Sequence, residues 1–482
     1  MRKESLPMNN PGASAAEARR QQQFIEEGRT LVQALGERLG RGPTACVVTF
    51  GCQMNARDSE KLSGILEEMG YALVEDEDAD LLLYNTCTVR DNADQRLYGR
   101  LGRASGYKKT HPWMKLALCG CMMQEASAVE KIRKSYRFVD LIFGTHNLYR
   151  FPELICRLLS GEATPVVDIW NQPELIVEDL PAKRVYPFKS GVNIMFGCDN
   201  YCTYCIVPYV RGRERSRTPR EILREIEALA ADGVSEVMLL GQNVDSYGRD
   251  LPETERIAFP ALLSEVCRAE GIRRVRFMTS HPKDLSPELI ETIVREPKVA
   301  RHIHLPLQSG SDEILRRMNR KYTAAHFLEL VTQIREALPD AAITTDIIVG
   351  FPGETEADVD ATIDIVRRAQ FENAFTFIYS PRRGTPAAGW EQVPPEVAGA
   401  QFERVLAVVQ ETARERSARF TGSVQEILIE SVNEKEPGLL TGRLSNNLLV
   451  HFPGDASLIG RFERVRLTEC RGFYYMGELV RG

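Results

Sequence analysis

The sequence predicts an α/β protein in three parts: a small N-terminal domain with a parallel sheet, a central partial barrel of six βα units, and a small antiparallel β-barrel at the C-terminus. Three observations carry this. From Thr44 onward, short apolar runs alternate with amphipathic helical stretches; after a proline-containing break near Asp168 the alternation restarts for six further units; beyond about residue 419 the apolar runs follow one another with no helix between them. At 482 residues and 43% hydrophobic content the chain is long enough for two or three cores.

Residues 1–43 are polar and rich in Gln, Arg and Glu; 15–39 is expected as a surface helix or as disorder, with no chemistry assigned to it. The N-terminal domain, 44–168, has expected strands at 45–50, 81–84, 116–118 and 141–143. Residues 169–187 carry Pro173, Pro181, Pro187 and several acids, and read as a linker. In the central part, 188–419, strands are expected at 192–196, 236–240, 275–278, 302–307, 343–349 and 374–379. One intervening helix opens with Thr218, Pro219 and Glu221, a capping residue, a first-turn proline and a capping-box acid. Six units are too few to close an eight-stranded barrel. In 420–482 the runs 424–429, 448–452, 465–467 and 474–479 make the antiparallel barrel.

A net charge of −6 gives no overall attraction to nucleic acid, so any such binding needs local basic surfaces. No stretch reaches the roughly 18 apolar residues of a membrane span, and the opening segment lacks an apolar signal core. A soluble, cytoplasmic protein, monomeric and free of membrane contact, is expected. Eleven cysteines, an odd count gathered largely in short motifs, read as reduced thiolates available to metal rather than as a disulfide framework.

The strongest chemical signal is Cys198-Asp-Asn-Tyr-Cys202-Thr-Tyr-Cys205, directly after the first strand of the central domain. Three thiolates on one tight loop can hold three irons of a cubane cluster and leave the fourth iron open to a ligand. Structural zinc is the alternative, but it asks for four ligands, and no fourth Cys or His lies close by. This CxxxCxxC loop resembles the radical S-adenosylmethionine (SAM) superfamily, in which the open iron binds SAM. The resemblance continues in Tyr204, at the place of the aromatic beside the SAM adenine, and in Gly241-Gln242-Asn243 at the second strand's end. It extends to the strand-end segments Thr279-Ser280-His281-Pro282, Leu305 through Gln308 to Gly310, and Asp346 through Glu354. It implies SAM contacts from Tyr204, Gln242, Asn243, Gln308 and Asp346, and a catalytic role for the cluster of Cys198, Cys202 and Cys205.

A second constellation is spread over the first domain. Cys52, Cys87 and Cys121 each follow an apolar strand by one to four residues, so a parallel sheet would bring all three to one edge. Cys119, two residues from Cys121, would point to the opposite face of an extended segment. Cys46, Cys156, Cys267 and Cys470 sit in apolar runs as core or incidental residues.

With both constellations in hand, the chain from Thr44 onward resembles the methylthiotransferase family of radical SAM enzymes. The likeness rests on Gly51-Cys52-Gln53-Met54-Asn55, Asn85-Thr86-Cys87, Gly120-Cys121, Gly197-Cys198 through Arg217, and His304 through Arg317. Gln53-Met54-Asn55 and Met122-Met123-Gln124 favour the branch acting on N6-isopentenyladenosine at tRNA position 37. The resemblance implies two 4Fe-4S clusters, an auxiliary one on Cys52, Cys87 and Cys121 and a SAM-cleaving one on Cys198, Cys202 and Cys205. It implies two SAM per turnover, one as methyl donor and one as 5'-deoxyadenosyl radical source, with sulfur delivered through the auxiliary cluster. It also implies a tRNA partner, an RNA-binding C-terminal barrel of the TRAM type and a flavodoxin- or ferredoxin-type electron donor. Other readings are action on threonylcarbamoyl-adenosine tRNA or a ribosomal-protein aspartate, or a non-catalytic iron-sulfur RNA-binding sensor.

Arg211, Arg213, Arg215 and Arg217 alternate with Gly212, Glu214 and Ser216, so an extended backbone would project all four guanidinium groups to one side, as RNA phosphates require. A solvated, salt-bridged face is the alternative. The tail adds Arg461, Arg464, Arg466 and Arg471 near Phe473, Tyr474 and Tyr475, a basic and aromatic mixture that suits RNA or a barrel core.

Overall fold

The computed structural model describes residues 11–88, 91–162, 165–173 and 175–480; positions 1–10 of the polar extension lie outside the described residues. The chain forms two compact units. The first comprises residues up to 185 with 196–199 and 206–217; the second comprises 186–195, 200–205 and everything from 218. The segment 206–217, expected in the central domain, therefore packs with the first.

The first unit holds a six-stranded, all-parallel sheet: β1 (Thr44–Thr49), β2 (Ala72–Leu73), β3 (Leu81–Thr86), β4 (Lys115–Gly120), β5 (Leu141–Phe143) and β6 (Val166–Asp168), in spatial order β2-β1-β3-β4-β5-β6. The expected four strands are present, and the two additional ones are edge strands of two and three residues, too short to show periodicity. Every residue of β3 is buried, as a strand covered on both faces requires. Cys119 and Cys156 lie in the core on one face and Cys46 in the core on the other. In the described part of the N-terminal extension, the helix Pro11–Leu39 buries Ile25, Val32 and Leu35 in the first of these cores. The Cys156 thiol donates to Phe24 O and Gln21 Oε1 accepts from Glu153 N–H, so this helix is seated on Phe151–Leu159. The linker segment is docked as well: Lys183 N–H donates to Glu60 O, and a Cβ on Gly64 would come within 2.5 Å of the Ala182 backbone nitrogen.

In the second unit the six expected parallel strands form two runs of three. β7 (Lys189–Asn193) is followed in the chain by β8 (Met195–Phe196) and β9 (Arg215–Ser216), a separate pair whose residues 196 and 215–216 pack with the first unit, then by β10 (Glu236–Leu240) and β11 (Arg274–Phe277), the run having the order β11-β10-β7. The other run is β12 (His302–His304), β13 (Ala342–Val349) and β14 (Asn373–Ile378). A bridge from Val275 to Val299 and a bond from Ser280 N–H to His304 O connect them. Helix Pro219–Ala231 carries the capping box of Thr218 and Glu221. The tail is a closed five-stranded barrel in order β15-β16-β17-β19-β18, from β15 (Val424–Val432), β16 (Leu439–Leu444), β17 (Leu449–Pro453), β18 (Phe462–Cys470) and β19 (Tyr474–Leu479). The unexpected strand, β16, holds Gly442, whose Cβ would strike Ile427 Cδ1 at 2.6 Å; a mid-strand glycine marks that close approach and weakens the strand signal. This barrel belongs to the second unit because β11 grips it: Arg276 donates to Leu444 O at 2.7 Å and Ser445 O at 3.1 Å.

Candidate functional site

The first cysteine trio is built by strand register. β1, β3 and β4 are neighbours, with Thr49 opposite Asn85 and Thr86 opposite Gly120, so their carboxyl ends are level. Cys52 heads the helix Gln53–Glu68, Cys87 follows β3, and Cys121 opens the 3-10 turn Cys121–Gln124. Cys87 and Cys121 are buried and Cys52 is exposed. Glycines make the approach possible: Gly51 has φ +103 and a Cβ there would stand 2.4 Å from Cys87 Cβ, while Gly120 has φ +95 and its Cβ would meet Thr86 O at 2.3 Å. Burial pushes the Cys121 thiol up to about 11; Arg211 pulls against it, and Cys52 and Cys87 add to the rise, so the three sulfurs act on one another.

A buried polar lattice fixes these loops. Asn55 Nδ2 donates to Phe50 O at 2.8 Å and Thr86 O at 2.9 Å, joining the approaches to Cys52 and Cys87. Asn85 Nδ2 donates to Asn55 O and Ser59 Oγ. Arg211, at the end of the short helix Val207–Arg211, completes it: Nε lies 3.2 Å from Cys121 Sγ and Nη2 donates to Asn55 Oδ1 at 2.6 Å. Asp58 Oδ2 stands 2.9 Å from the same Nη2 outside hydrogen-bond alignment, so that contact is an ion pair. Burial by itself would lower the Arg211 pKa; Cys121, Asp58 and Cys52 more than reverse this and hold the guanidinium charged.

The four arginines do not share one side. Gly212, at φ +78, breaks the extended path, and only Ser216 with Arg215 is in strand. Arg211, Arg215 and Arg217 are buried, with Arg215 over the Phe196 ring and Arg217 Nε on Glu178 Oε1 at 2.7 Å; Arg213 is exposed and pairs with Asp199 at 2.7 Å. Three members of the expected phosphate-facing row are thus internal contacts, and the fourth, Arg213, makes a surface ion pair. In the tail, Arg461, Arg464, Arg466, Arg471 and Phe473 do face solvent, whereas Tyr475 is barrel core and Tyr474 leans on His451.

On the second motif, Cys198 lies in the first unit, where its N–H donates to Gly212 O at 3.1 Å. Cys202 and Cys205 lie in the second, with Cys205 N–H closing a turn onto Cys202 O at 2.9 Å. Thr203 ties the turn to the helix Asp312–Arg317 through Met318 O and Arg317 O. Buried Arg320 stands 3.5 Å from Cys202 Sγ, stacks on Tyr322 and donates to Pro306 O. Tyr204 packs against Ile314, Met318 and Phe351. Among the described residues no three of His, Cys, Asp and Glu gather as ligands of one ion would. Ligands of a cubane each take a different corner iron and stand wider apart, and a donor set of cysteines alone fits iron-sulfur chemistry.

The strand ends of the second unit carry the remaining candidates. Asn243 is buried and donates to Asp284 at 2.8 Å; Gln242 follows β10 in the same loop. Gln308 sits at φ +68 with its Oε1 buried and without a hydrogen-bond partner, while its N–H donates to Asp346 O. Asp346 Oδ2 lies 3.3 Å from His304 Nε2, and the Phe375 ring meets His304 edge-on. Burial raises Asp245 to about 7 and Glu354 to about 8. Arg320, Asp58 and Asp245 stood outside every motif of the sequence reading, while Asn55, His304 and Glu354 stood inside quoted motifs without an assigned role.

Three family models match: the Radical SAM superfamily over 192–366, an uncharacterized protein family, UPF0004, over 44–144, and the TRAM domain over 418–480. The chain is 55% identical over 450 residues to the tRNA-2-methylthio-N(6)-dimethylallyladenosine synthase of Lachnoclostridium phytofermentans, covering 93% of this chain and 98% of that protein. It is 47% identical over 483 residues to the synthase of that name from Acetivibrio thermocellus, covering all of both. The chain belongs to the tRNA-2-methylthio-N(6)-dimethylallyladenosine synthase family. Among solved structures it is similar to the radical SAM methyltransferase TsrM of Kitasatospora setae with cobalamin and a [4Fe-4S] cluster bound, at TM-score 0.51 and 15% identity, covering 72% of this chain and 77% of that one. That likeness shows a shared fold. As a member of the synthase family the chain is a radical SAM enzyme, a transferase that uses SAM and an iron-sulfur cluster. No described helix is long and apolar enough to cross a membrane.

Proposed function

We infer that this chain is a radical SAM methylthiotransferase that converts N6-isopentenyladenosine in tRNA to its 2-methylthio derivative, with two 4Fe-4S clusters and two SAM per turnover. The observation that carries the reading is the convergence of Cys52, Cys87 and Cys121 at one sheet edge, in a chain that also holds the Cys198, Cys202, Cys205 motif. The target C–H bond is neither acidic nor open to nucleophiles, so acid-base groups alone do not break it. When bound, a cluster held by Cys198, Cys202 and Cys205 would supply the electron for reductive cleavage of SAM, and one held by Cys52, Cys87 and Cys121 would supply sulfur for methylation by a second SAM.

The chain's own residues bind, orient and exclude water. Arg320 offsets thiolate charge at Cys202 and pins its turn through Pro306 O. Tyr204 offers an aromatic face backed by Ile314 and Phe351, and Gln308, Gln242 and Asn243 offer amide groups to the polar end of SAM. Asp346, held by His304, is a candidate acceptor for a ribose hydroxyl. Exposed Arg464, Arg466 and Arg471 on the barrel tail suit tRNA phosphates, and single-stranded loop bases are cheap to splay out. A low-potential flavodoxin- or ferredoxin-type protein is the electron donor.

The test is iron and sulfide counting on anaerobically prepared protein together with nucleoside analysis. About eight irons are expected in the parent and about four after Cys52, Cys87 and Cys121 become Ala, since each trio holds one cubane. Unchanged methylthio-nucleosides in tRNA of a deletion strain, with an altered ribosomal protein, would overturn the substrate.

A further inference from the structure

The contact between Arg211 and Cys121 is made wholly inside the first unit. A buried arginine normally spends its fork on a carboxylate. Here the Nε edge is turned to a cysteine sulfur at 3.2 Å, one Nη2 bond goes to Asn55 Oδ1, and the acid paired with it, Asp58, touches Nη2 off-axis. Both charged side chains are less than a tenth exposed, at 7% and 8%. Asn55, which receives the arginine, also clamps the loops that carry Cys52 and Cys87. One cation is thereby wired to all three cysteine loops.

Resting on the auxiliary-cluster reading above, we propose that Arg211 is a positioning residue for that cluster: it donates to the Cys121 thiolate, offsets the negative charge of the three-thiolate site and so sets its reduction potential, with Asp58 as the opposing charge. Hydrogen bonds to ligand sulfur and nearby charge are the means by which a protein moves an iron-sulfur potential. A cation favours the reduced, more negative state and raises the potential; an anion does the reverse. Arg211 and Asp58 therefore pull in opposite directions.

The experiment uses the full chain with Cys198, Cys202 and Cys205 changed to Ala, reconstituted without oxygen, so that iron reports on the first trio alone. Midpoint potentials are read by mediated redox titration with electron paramagnetic resonance. Arg211→Met is expected to lower the potential, Asp58→Asn to raise it, and Arg211→Lys to fall between the parent and Arg211→Met. The double variant Arg211→Met/Asp58→Asn leaves no unpaired buried charge, keeps its iron and titrates below Asp58→Asn alone. If Arg211→Met loses its iron, the double variant and Asp58→Asn still decide. Potentials that do not move, or that move the same way in Arg211→Met and Asp58→Asn, overturn the proposal while leaving the auxiliary cluster in place. A parent background that binds no iron overturns the cluster reading and the proposal together.

Discussion

The two cysteine trios are assembled by different means. Cys198, Cys202 and Cys205 are supplied by eight consecutive residues, and the turn at Cys202 and Cys205 is pinned by Thr203 and Arg320. Cys52, Cys87 and Cys121 come from three strand ends, and only the parallel register of β1, β3 and β4 makes them neighbours. Yet each set receives one buried guanidinium, Arg320 at 3.5 Å from Cys202 and Arg211 at 3.2 Å from Cys121. Gathering thiolates in a dry place is costly, and both environments meet that cost with a fixed cation. The loop trio depends on local chain geometry, whereas the sheet trio depends on the fold of a whole domain.

The sharpest way to break the comparison is to remove one ligand from each set. Cys202→Ala is expected to abolish both 5'-deoxyadenosine formation and methylthiolation, while Cys121→Ala abolishes methylthiolation and leaves SAM cleavage with dithionite measurable; equal loss of 5'-deoxyadenosine in both would erase the distinction. Next comes Arg320→Met, expected to slow SAM cleavage roughly 10- to 100-fold, the usual effect of losing a partner of a metal ligand, without loss of iron from the first trio. Cleavage at the parental rate would remove Arg320 from that role.

Gly51→Ala probes the dependence of the first trio on its fold. Its Cβ would stand 2.4 Å from Cys87 at φ +103, so a loss of about 3 kcal/mol of stability is expected, seen as a lower melting temperature and poorer iron retention. The matching change at Gly99, where a Cβ meets nothing, is expected to be neutral or slightly stabilising.

The smallest effect is one of pH. Burial first, then Arg215 and Arg211, lowers His146 to about 4 from an ordinary 6.5, so this ring is neutral in the folded chain. The unfolded chain binds the extra proton between those values; the stability contribution is complete above about 6.5 and is lost as pH falls toward 4, by roughly 3 kcal/mol at most. His146→Gln is expected to flatten the melting-temperature profile between pH 4 and 6.5 and to leave it unchanged at pH 8; a profile as steep as the parent's would show that another group governs that range.

Much of the fold was legible because the signals are local. Apolar runs of three to seven residues located the strands of both units, and Thr218, Pro219 and Glu221 placed one helix start correctly. What escaped was short or interrupted, such as β2, β6 and the glycine-bearing β16. The N-terminal helix was ambiguous because its polar composition hides a sparse stripe of Ile25, Val32 and Leu35, which pays off only against Phe151–Leu159. The arginine row was misread for a related reason: alternation implies one face only in an extended segment, and Gly212 ends that condition after Arg211.

The sequence by itself determined which cysteines are the candidates for the two trios. Motif spacing and strand ends are written in neighbouring positions, and a parallel sheet converts strand ends into one edge by geometry alone. Only the tertiary structure decided what surrounds those thiols. Arg211 and Cys121 are 90 positions apart and Arg320 and Cys202 are 118 apart, and nothing in a local pattern says which buried cation will meet which sulfur. That choice follows from packing, where burying a charge forces it to find a partner wherever the fold provides one.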